Sequence, residues 1–100
     1  MTIDPSAPRP HAEKLESPHP TGGYDEILTW PNGSICFLRD GQLHRDDGAA
    51  FLGVDGAVSW LRGGREHRED GPAVVFADGT KQWWVDGIRL SEAVFRERRT

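Results

Sequence analysis

Residues 42–64, "QLHRDDGAAFLGVDGAVSWLRGG", and residues 65–87, "REHREDGPAVVFADGTKQWWVDG", are near copies of each other. Each contains a histidine, an arginine and an aspartate in the same order, followed by a glycine. A self-match at a fixed shift, here 23 residues, is typical of a repeat architecture. An enzyme needs its reactive site once, whereas a repeated scaffold needs the same corner in every unit. The duplication therefore favours a structural role for the triplet.

Glycine spacing within the repeat predicts short strands. The shift aligns three turn dipeptides, each between apolar runs: Asn32-Gly33, Asp55-Gly56 and Asp78-Gly79. These dipeptides favour type I′ turns, which need positive φ at both central residues. A second set of turns is expected at Gly41, Gly64 and Gly87. The intervals leave strands of about five residues and no room for a helix. We therefore predict an all-β fold, an antiparallel β-hairpin meander of 23-residue repeats with a short C-terminal capping helix.

Strand alternation sorts the aromatic side chains into two faces. Lys81, Trp83 and Val85 face one way, and Gln82 and Trp84 face the other. Stacked repeats predict a buried aromatic ladder, with Leu61 and its counterparts on the opposite face. The ladder consists of Phe37, Trp60 and Trp83. Trp84 aligns with leucines in the other units, so it either anchors an interface or packs under the C-terminal cap.

The two ends of the chain differ from the repeats. Five of the seven prolines fall within the first 20 residues, which offer few apolar side chains to bury. Residues 1–23 are predicted to be a flexible proline-rich tail, and residues 24–100 to be the ordered domain. Ser91 is a good helix N-cap, and arginines follow at the other end of the segment. A helix at about 91–99 would close the open edge of the array.

The bulk composition narrows the class of protein. A net charge of −4 does not favour nucleic acid as a partner. Cys36 is the single cysteine, which excludes an internal disulfide framework and fits a reducing compartment. No run approaches the roughly 18 apolar residues that a membrane span needs. We therefore expect a cytoplasmic protein that needs no membrane.

Residues 60–84, "WLRGGREHREDGPAVVFADGTKQWW", resemble the bacterial and phage variant of the MORN-type repeat, W-x-x-x-G-x-x-H-R-x-D-G-P-A. The preceding unit departs from that pattern at Phe37 and Ala49, and the resemblance covers about residues 24–90. It implies a β-hairpin ribbon that serves as a binding and scaffolding surface. The bacterial variant also occurs in proteins labelled as antitoxin or immunity components.

The repeated triplets are predicted to be structural corners without a metal ion. They consist of His44, Arg45 and Asp47, and of His67, Arg68 and Asp70. In this interpretation aspartate bonds to the backbone and glycine supplies positive φ. Arginine pairs bidentately with the aspartate, and histidine donates to a strand carbonyl. The alternatives are a metal site with two histidines and two aspartates, a phosphate site, and a general-base site.

The function predicted from these patterns is binding without catalysis and without a cofactor. The leading form is an inhibitor or neutraliser of antitoxin, immunity or phage counter-defence type, whose partner is a host or toxin-like protein. A short array with open strand edges also favours pairing with a copy of itself as a homodimer. Alternatives are a small-molecule or nucleotide sponge and, less favoured, a hydrolase that uses the corners. The interface candidates are Trp84, Trp60, Trp30, Phe76, Arg62, Arg65 and Arg89.

Overall fold

The computed structural model describes residues 9–98, which form β-strands and one C-terminal α-helix. The strands are β1 (His11–Lys14), β2 (Glu26–Thr29), β3 (Ile35–Arg39), β4 (Gln42–Leu43), β5 (Phe51–Leu52), β6 (Val58–Ser59), β7 (Leu61–Arg62), β8 (Arg65–Glu66), β9 (Val74–Val75), β10 (Lys81–Val85) and β11 (Ile88–Leu90). The helix α1 spans Glu92–Arg98. All strand pairs are antiparallel.

Most strands belong to one sheet, in the order β1-β2-β3-β5-β6-β9-β10-β11, with β4 also paired to β3. The strands β7 and β8 form a separate hairpin. Two long strands are shared between partners along their length. The first part of β3 pairs with β5 and its end pairs with β4. In the same way β10 pairs first with β9 and then with β11. Each long strand therefore changes partner near its middle, and this places an aromatic residue at the change.

The loops at Asn32-Gly33, Asp55-Gly56 and Asp78-Gly79 are not the predicted type I′ turns. The Gly33 N–H donates to the carbonyl of Trp30 at 2.9 Å, and the Ser34 N–H donates to Asn32 Oδ1 at 2.9 Å. Gly33 has φ of +97°, whereas Asn32 has no positive φ. This is a three-residue loop, a type I turn followed by one left-handed glycine. The loops at Asp55-Gly56 and Asp78-Gly79 have the corresponding bonds.

The type I′ geometry occurs instead at the second set of turns. Both central residues have positive φ at Asp40-Gly41 (51° and 80°), Gly63-Gly64 (55° and 81°) and Asp86-Gly87 (51° and 76°). The prediction therefore identified the turn type and assigned it to the wrong loops. The dipeptide Asp-Gly occurs in both sets and does not distinguish them. The number of loop residues decides the turn type, and that number depends on the strand register.

The core is small. The buried apolar residues are Tyr24, Phe37, Ala49, Ala50, Leu61, Ala73 and Phe95. Phe37, the first member of the predicted ladder, is buried, but Trp60 and Trp83 are only half-buried. Leu61, predicted on the opposite face, is buried. The alternation fails here because the strand is interrupted at Trp60 and continues in a different hairpin.

The described part of the N-terminal segment contains a strand, which the prediction of a flexible tail over residues 1–23 did not include. The strand β1 runs antiparallel to β2, and the Leu15 N–H donates to the carbonyl of Asp25 at 2.8 Å. The His19 ring stacks on Tyr24 with a centroid distance of 5.0 Å. All four β1 side chains are exposed, so backbone pairing holds this strand. Apolar content could not predict that pairing; residues 1–8 lie outside the described part.

The helix α1 lies within the predicted segment of about 91–99, of which residue 99 lies outside the described part. Ser91 Oγ accepts the N–H of Val94 at 3.2 Å, as an N-cap residue does. Glu92 forms an ion pair with Arg96 one turn later. Phe95 is the buried residue of the helix, whereas Val94 is exposed. Within residues 9–98 no helix combines the length and the apolar character that crossing a bilayer requires.

Candidate functional site

The repeated triplets fold into two corners, which we name corner one (residues 44–49) and corner two (residues 67–72). Each corner begins where a histidine N–H meets an aromatic residue, Phe37 in the middle of β3 or Trp60 between β6 and β7. The His44 N–H donates to the carbonyl of Phe37, and the His67 N–H donates to that of Trp60, both at 2.9 Å. This aromatic residue therefore lies directly beside the corner.

Each corner arginine stacks on that aromatic ring. The guanidinium carbon of Arg45 lies 4.1 Å from the Phe37 ring centroid, and that of Arg68 lies 3.8 Å from the Trp60 centroid. Such cation–π contacts contribute about 0.5–2 kcal/mol, most for tryptophan. Trp60, predicted as an interface residue, thus has one face covered from within the chain.

The same arginines close the corners through hydrogen bonds, but not through the predicted bidentate pair. Arg45 Nε donates to Asp47 Oδ1 at 3.1 Å, and its Nη1 donates to the carbonyl of Ala49 at 3.3 Å. Arg68 Nε donates to Asp70 Oδ1 at 2.7 Å, with its Nη1 3.3 Å from the Pro72 carbonyl oxygen. One N–H group reaches the carboxylate and another reaches the backbone, so the guanidinium spans the corner.

The corner glycines provide space and not a left-handed conformation. Gly48 and Gly71 are absent from the described residues with positive φ, contrary to the prediction. A Cβ at Gly48 would lie 3.0 Å from the guanidinium carbon of Arg45, and one at Gly71 would lie 3.1 Å from that of Arg68. Glycine at these positions therefore lets the guanidinium lie flat against the backbone.

Each histidine accepts a hydrogen bond, whereas the sequence predicted donation to a carbonyl. The Gly63 N–H donates to His44 Nδ1 at 2.9 Å, and the Asp86 N–H donates to His67 Nδ1 at 3.0 Å. Because Nδ1 is an acceptor, the proton of the neutral ring lies on Nε2. Gly63 and Asp86 are the first central residues of type I′ turns. Each imidazole thus holds the turn that lies 19 residues further along the chain.

The Nε2 atoms have different environments in the two corners. His44 Nε2 lies 2.8 Å from Asp46 Oδ1, a good hydrogen bond. His67 is only 7% exposed, and its Nε2 is buried without a hydrogen bond. Glu69 Oε1 is the nearby carboxylate atom at 3.4 Å, beyond the usual 2.7–3.2 Å for N–H···O bonds. These carboxylates were not predicted from the sequence, although one follows each histidine at the second position.

Side chains of both corners, including Asp46, Arg68, Glu69 and Asp70, line one cavity, but the two imidazoles do not share it. This cavity of about 230 Å³ lies between the corners, lined in part by Arg45, Trp60, Arg62 and His67. His44 does not line it; its Nε2 contacts Asp46 instead. Across residues 9–98, no three histidine, cysteine or acidic side chains group closely enough to bind a metal. The alternative of a site with two histidines and two aspartates therefore has no geometric support.

The predicted interface residues differ in exposure. Phe76 is 44% exposed, and Arg62, Arg65 and Arg89 are exposed. Trp30, Trp60 and Trp84 are half-buried. Trp84 Nε1 donates to Gln82 Oε1 at 3.0 Å, so its polar edge has a partner within the strand. Two exposed apolar residues beside turn glycines, Val54 and Ile88, were not predicted.

One turn residue has a perturbed acidity. The side chain and the backbone N–H of Thr80 hydrogen-bond to the Asp78 carboxylate and hold its pKa below the ordinary value of 3.8. The bond from the Thr80 N–H is 2.9 Å long. Asp78 is exposed at a hairpin loop, so this shift reflects turn geometry.

Comparison with known proteins identifies no relative. No family model matches the chain, and no match is found among curated proteins or solved structures.

Proposed function

We propose that this chain is a non-enzymatic cytoplasmic binding protein that acts through contacts with another protein, as an inhibitor or neutraliser of the antitoxin, immunity or phage counter-defence type. The observation that carries the proposal is the use of the corner side chains. Both imidazoles accept turn N–H groups, and both guanidinium groups bond to the carboxylate and carbonyl of their own corner. Groups occupied in this way serve the fold, which leaves the outer surface for recognition.

The proposed scaffold is a MORN-type array of 23-residue repeats. Support comes from hydrogen bonds that recur between equivalent residues. The bond from Gly63 to His44 corresponds to the bond from Asp86 to His67, and the two arginine networks correspond in the same way. A repeat array has neighbour contacts and little central core, in keeping with the small buried set described above.

The surface fits protein recognition. Phe76 and Ile88 are exposed apolar residues, and exposed arginines lie on the hairpins nearby in sequence. Aromatic and arginine side chains are the types that dominate binding energy at protein interfaces. A small domain with a small core also gains stability when a partner binds its folded state.

The test is recovery of the partner, followed by reconstitution. The tagged full chain, Phe76→Ala, and Val94→Ala as an exposed control are expressed in the source cells. We expect wild type and the control to retain the same protein, and Phe76→Ala to weaken its purified complex by about tenfold. Addition of the chain should also inhibit the activity of that protein. Failure of wild type to retain any protein, or equal affinity for all three chains, would contradict the proposal.

A nucleotide sponge is the second candidate, favoured by one shallow cavity. This cavity of about 370 Å³ is lined in part by Trp83, Lys81 and Arg89, and also by Glu92, which forms an ion pair with Arg96. Neither Lys81 nor Arg89 forms an ion pair within residues 9–98. An aromatic ring with two cations could hold a base and a phosphate. A nucleotide that raises the melting temperature of wild type, but not of Trp83→Ala, would favour this function.

A further inference from the structure

Three hairpins close at type I′ turns: β3–β4, β7–β8 and β10–β11. The outer edge of each of the first two is covered by the turn of the hairpin that follows it. The strand β4 belongs to the first hairpin and β8 to the second. Leu43 in β4 accepts the N–H of Gly64 at its carbonyl, and Glu66 in β8 accepts that of Gly87, both at 2.9 Å. Both accepting residues lie one hairpin before the glycine that they bind.

Side chains on the same edge cover the turn glycines. Gln42 Cβ lies 3.8 Å from the position that a Cβ would occupy at Gly64. Arg65 Cβ lies 3.5 Å from the corresponding position at Gly87. The aliphatic part of Gln42, the first residue of β4, therefore packs against the turn at Gly64. That of Arg65, the first residue of β8, packs against the turn at Gly87.

The third hairpin, β10–β11, has the same edge, and within residues 9–98 the chain continues from it into α1 and not into another hairpin. Ile88 occupies the position of Arg65 and is 64% exposed. Arg89 pairs with Trp84, whose carbonyl accepts the N–H of Arg68 at 3.1 Å. Because N–H and C=O of a strand residue point to the same side, the backbone groups of Trp84 face away from β11. Those of Arg89 then point outward, at an open sheet edge.

Among the residues that the structure describes, the first type I′ turn, Asp40-Gly41, has no strand residue packed against its glycine. Asp40-Gly41 has the type I′ geometry of the later turns, but within residues 9–98 no atom beyond its immediate chain neighbours lies within 4 Å of a Cβ placed at Gly41. Asp25 Oδ2 accepts the Asp40 N–H at 3.2 Å, which replaces the bond that a preceding histidine would make. At the other end Leu90 stands at the histidine position, and its side chain cannot accept a hydrogen bond. A contact between the Asp40-Gly41 turn and the edge at Arg89 would therefore need no histidine, because Asp25 already accepts the Asp40 N–H.

We propose that these two ends bind each other in separate copies of the chain. The Asp40-Gly41 turn of one copy packs on Ile88 of the next, and the Gly41 N–H donates to the Arg89 carbonyl. The surfaces in contact are different, so the association is head-to-tail and continues to further copies. This geometry differs from a closed dimer, in which the same patch would occur on both sides of the contact.

Two variants that each block one end test this arrangement. Ile88→Asp places a charge on the tail end, and Gly41→Asn places a side chain on the head end in a conformation that asparagine tolerates. Sedimentation velocity of the full chain should show mass rising with concentration for wild type. Each variant alone should associate at least about tenfold more weakly, so it should sediment as a monomer at concentrations at which wild type associates. An equimolar mixture should form heterodimers and stop there, because each variant retains one intact end.

The matched controls lie on the opposite row of loops. Val54→Asp changes another exposed apolar residue, and Gly56→Asn changes another open glycine with positive φ. Both controls should associate as wild type does. The heterodimer itself requires that both variants fold, so misfolding cannot imitate it. A wild type that stays monomeric at every soluble concentration would overturn the proposal. So would a mixture without heterodimers, or a loss of association in the controls.

Discussion

Corner one and corner two share their histidine, arginine, aspartate and glycine but differ in the carboxylate that faces the imidazole. In corner one, Asp46 bonds to His44 Nε2, and its own N–H donates to the carbonyl of Gly22 at 2.7 Å. In corner two, Glu69 is exposed, and His67 Nε2 has no hydrogen bond. The shared residues build the corner, whereas this variable residue couples it to its surroundings.

The two histidine side chains also differ in burial. The His67 side chain is more buried than that of His44, although it has fewer hydrogen bonds. A buried polar atom without a partner costs free energy, because it loses its bonds to water. Corner two therefore carries a desolvation cost at His67 Nε2 that corner one avoids. Its arginine, however, stacks on Trp60, and tryptophan binds a cation better than the phenylalanine of corner one.

The largest expected difference between the corners follows deletion of each arginine. Both arginine side chains are 24% exposed, which makes them a matched pair. Arg68→Ala should lower the free energy of unfolding by about 2 kcal/mol, and Arg45→Ala by less, because tryptophan binds a cation better than phenylalanine. Urea unfolding measures both values. The exposed Arg62→Ala is the control, and losses no greater than that of the control would contradict the cation–π account.

Removal of each imidazole acceptor should come next in size. His67→Phe leaves the Asp86 N–H without its partner at a part-buried hydrogen bond and should cost about 1 kcal/mol. His44→Phe should cost less, because water can reach the Gly63 N–H at a more exposed site. Hydrogen exchange of these two amide groups localises the effect. Unchanged protection of the Asp86 amide in His67→Phe would show that the imidazole does not hold this turn.

Exchange of the variable carboxylates should have a smaller effect, with opposite signs. Glu69→Asp brings corner two to the residue of corner one and should stabilise the fold by about 0.5 kcal/mol, through a new bond to His67 Nε2. Asp46→Glu should destabilise it, since Asp46 Oδ2 already fills the space beside Gly23. Thermal unfolding compares the two. A loss of stability in both variants would indicate that side-chain length is not the relevant difference.

The smallest expected effect lies in the loops beside the corners. Thr80→Ala gives the loop at Asp78 the sequence pattern of the loop at Asp55, which precedes Ala57. The variant loses a hydrogen bond to the carboxylate, so the Asp78 pKa should rise toward 3.8. A lowered folded-state pKa contributes stability above the unfolded value, and this contribution disappears as the pH falls through the folded value. A carboxyl carbon titration by NMR measures the shift, and an unchanged midpoint would contradict its assigned cause.

The sequence predicted antiparallel strands, the positions of the turns and the helix, because each has a local signal, but the expected strand length of about five residues is wrong for β4 to β9, which have two residues each. Glycine spacing located both sets of turns, and Ser91 located the helix start. It did not distinguish the turn types at Asn32-Gly33 and Asp40-Gly41, since turn type depends on register between strands. It also missed β1, whose pairing uses backbone groups that every sequence has.

The candidate site was predicted in outline and corrected in detail. Pairing of Arg45 with Asp47 and of Arg68 with Asp70 was expected from the sequence, but stacking on Phe37 was not. That contact joins residues eight positions apart in sequence across a strand pair, which requires the sheet topology. The direction of the histidine bonds could not be predicted either, because imidazole serves as donor or acceptor equally well.

The central claim is that the repeated corners hold the next turn of the fold. The most direct measurement is an NMR spectrum of the ¹⁵N-labelled full chain at pH 8 that reports the tautomer of each imidazole and its hydrogen-bond couplings. The account predicts the Nε2–H tautomer at His44 and His67. It also predicts couplings across hydrogen bonds from the Gly63 and Asp86 amides to the two Nδ1 atoms. A proton on Nδ1 in either ring, or free exchange between tautomers, would contradict it.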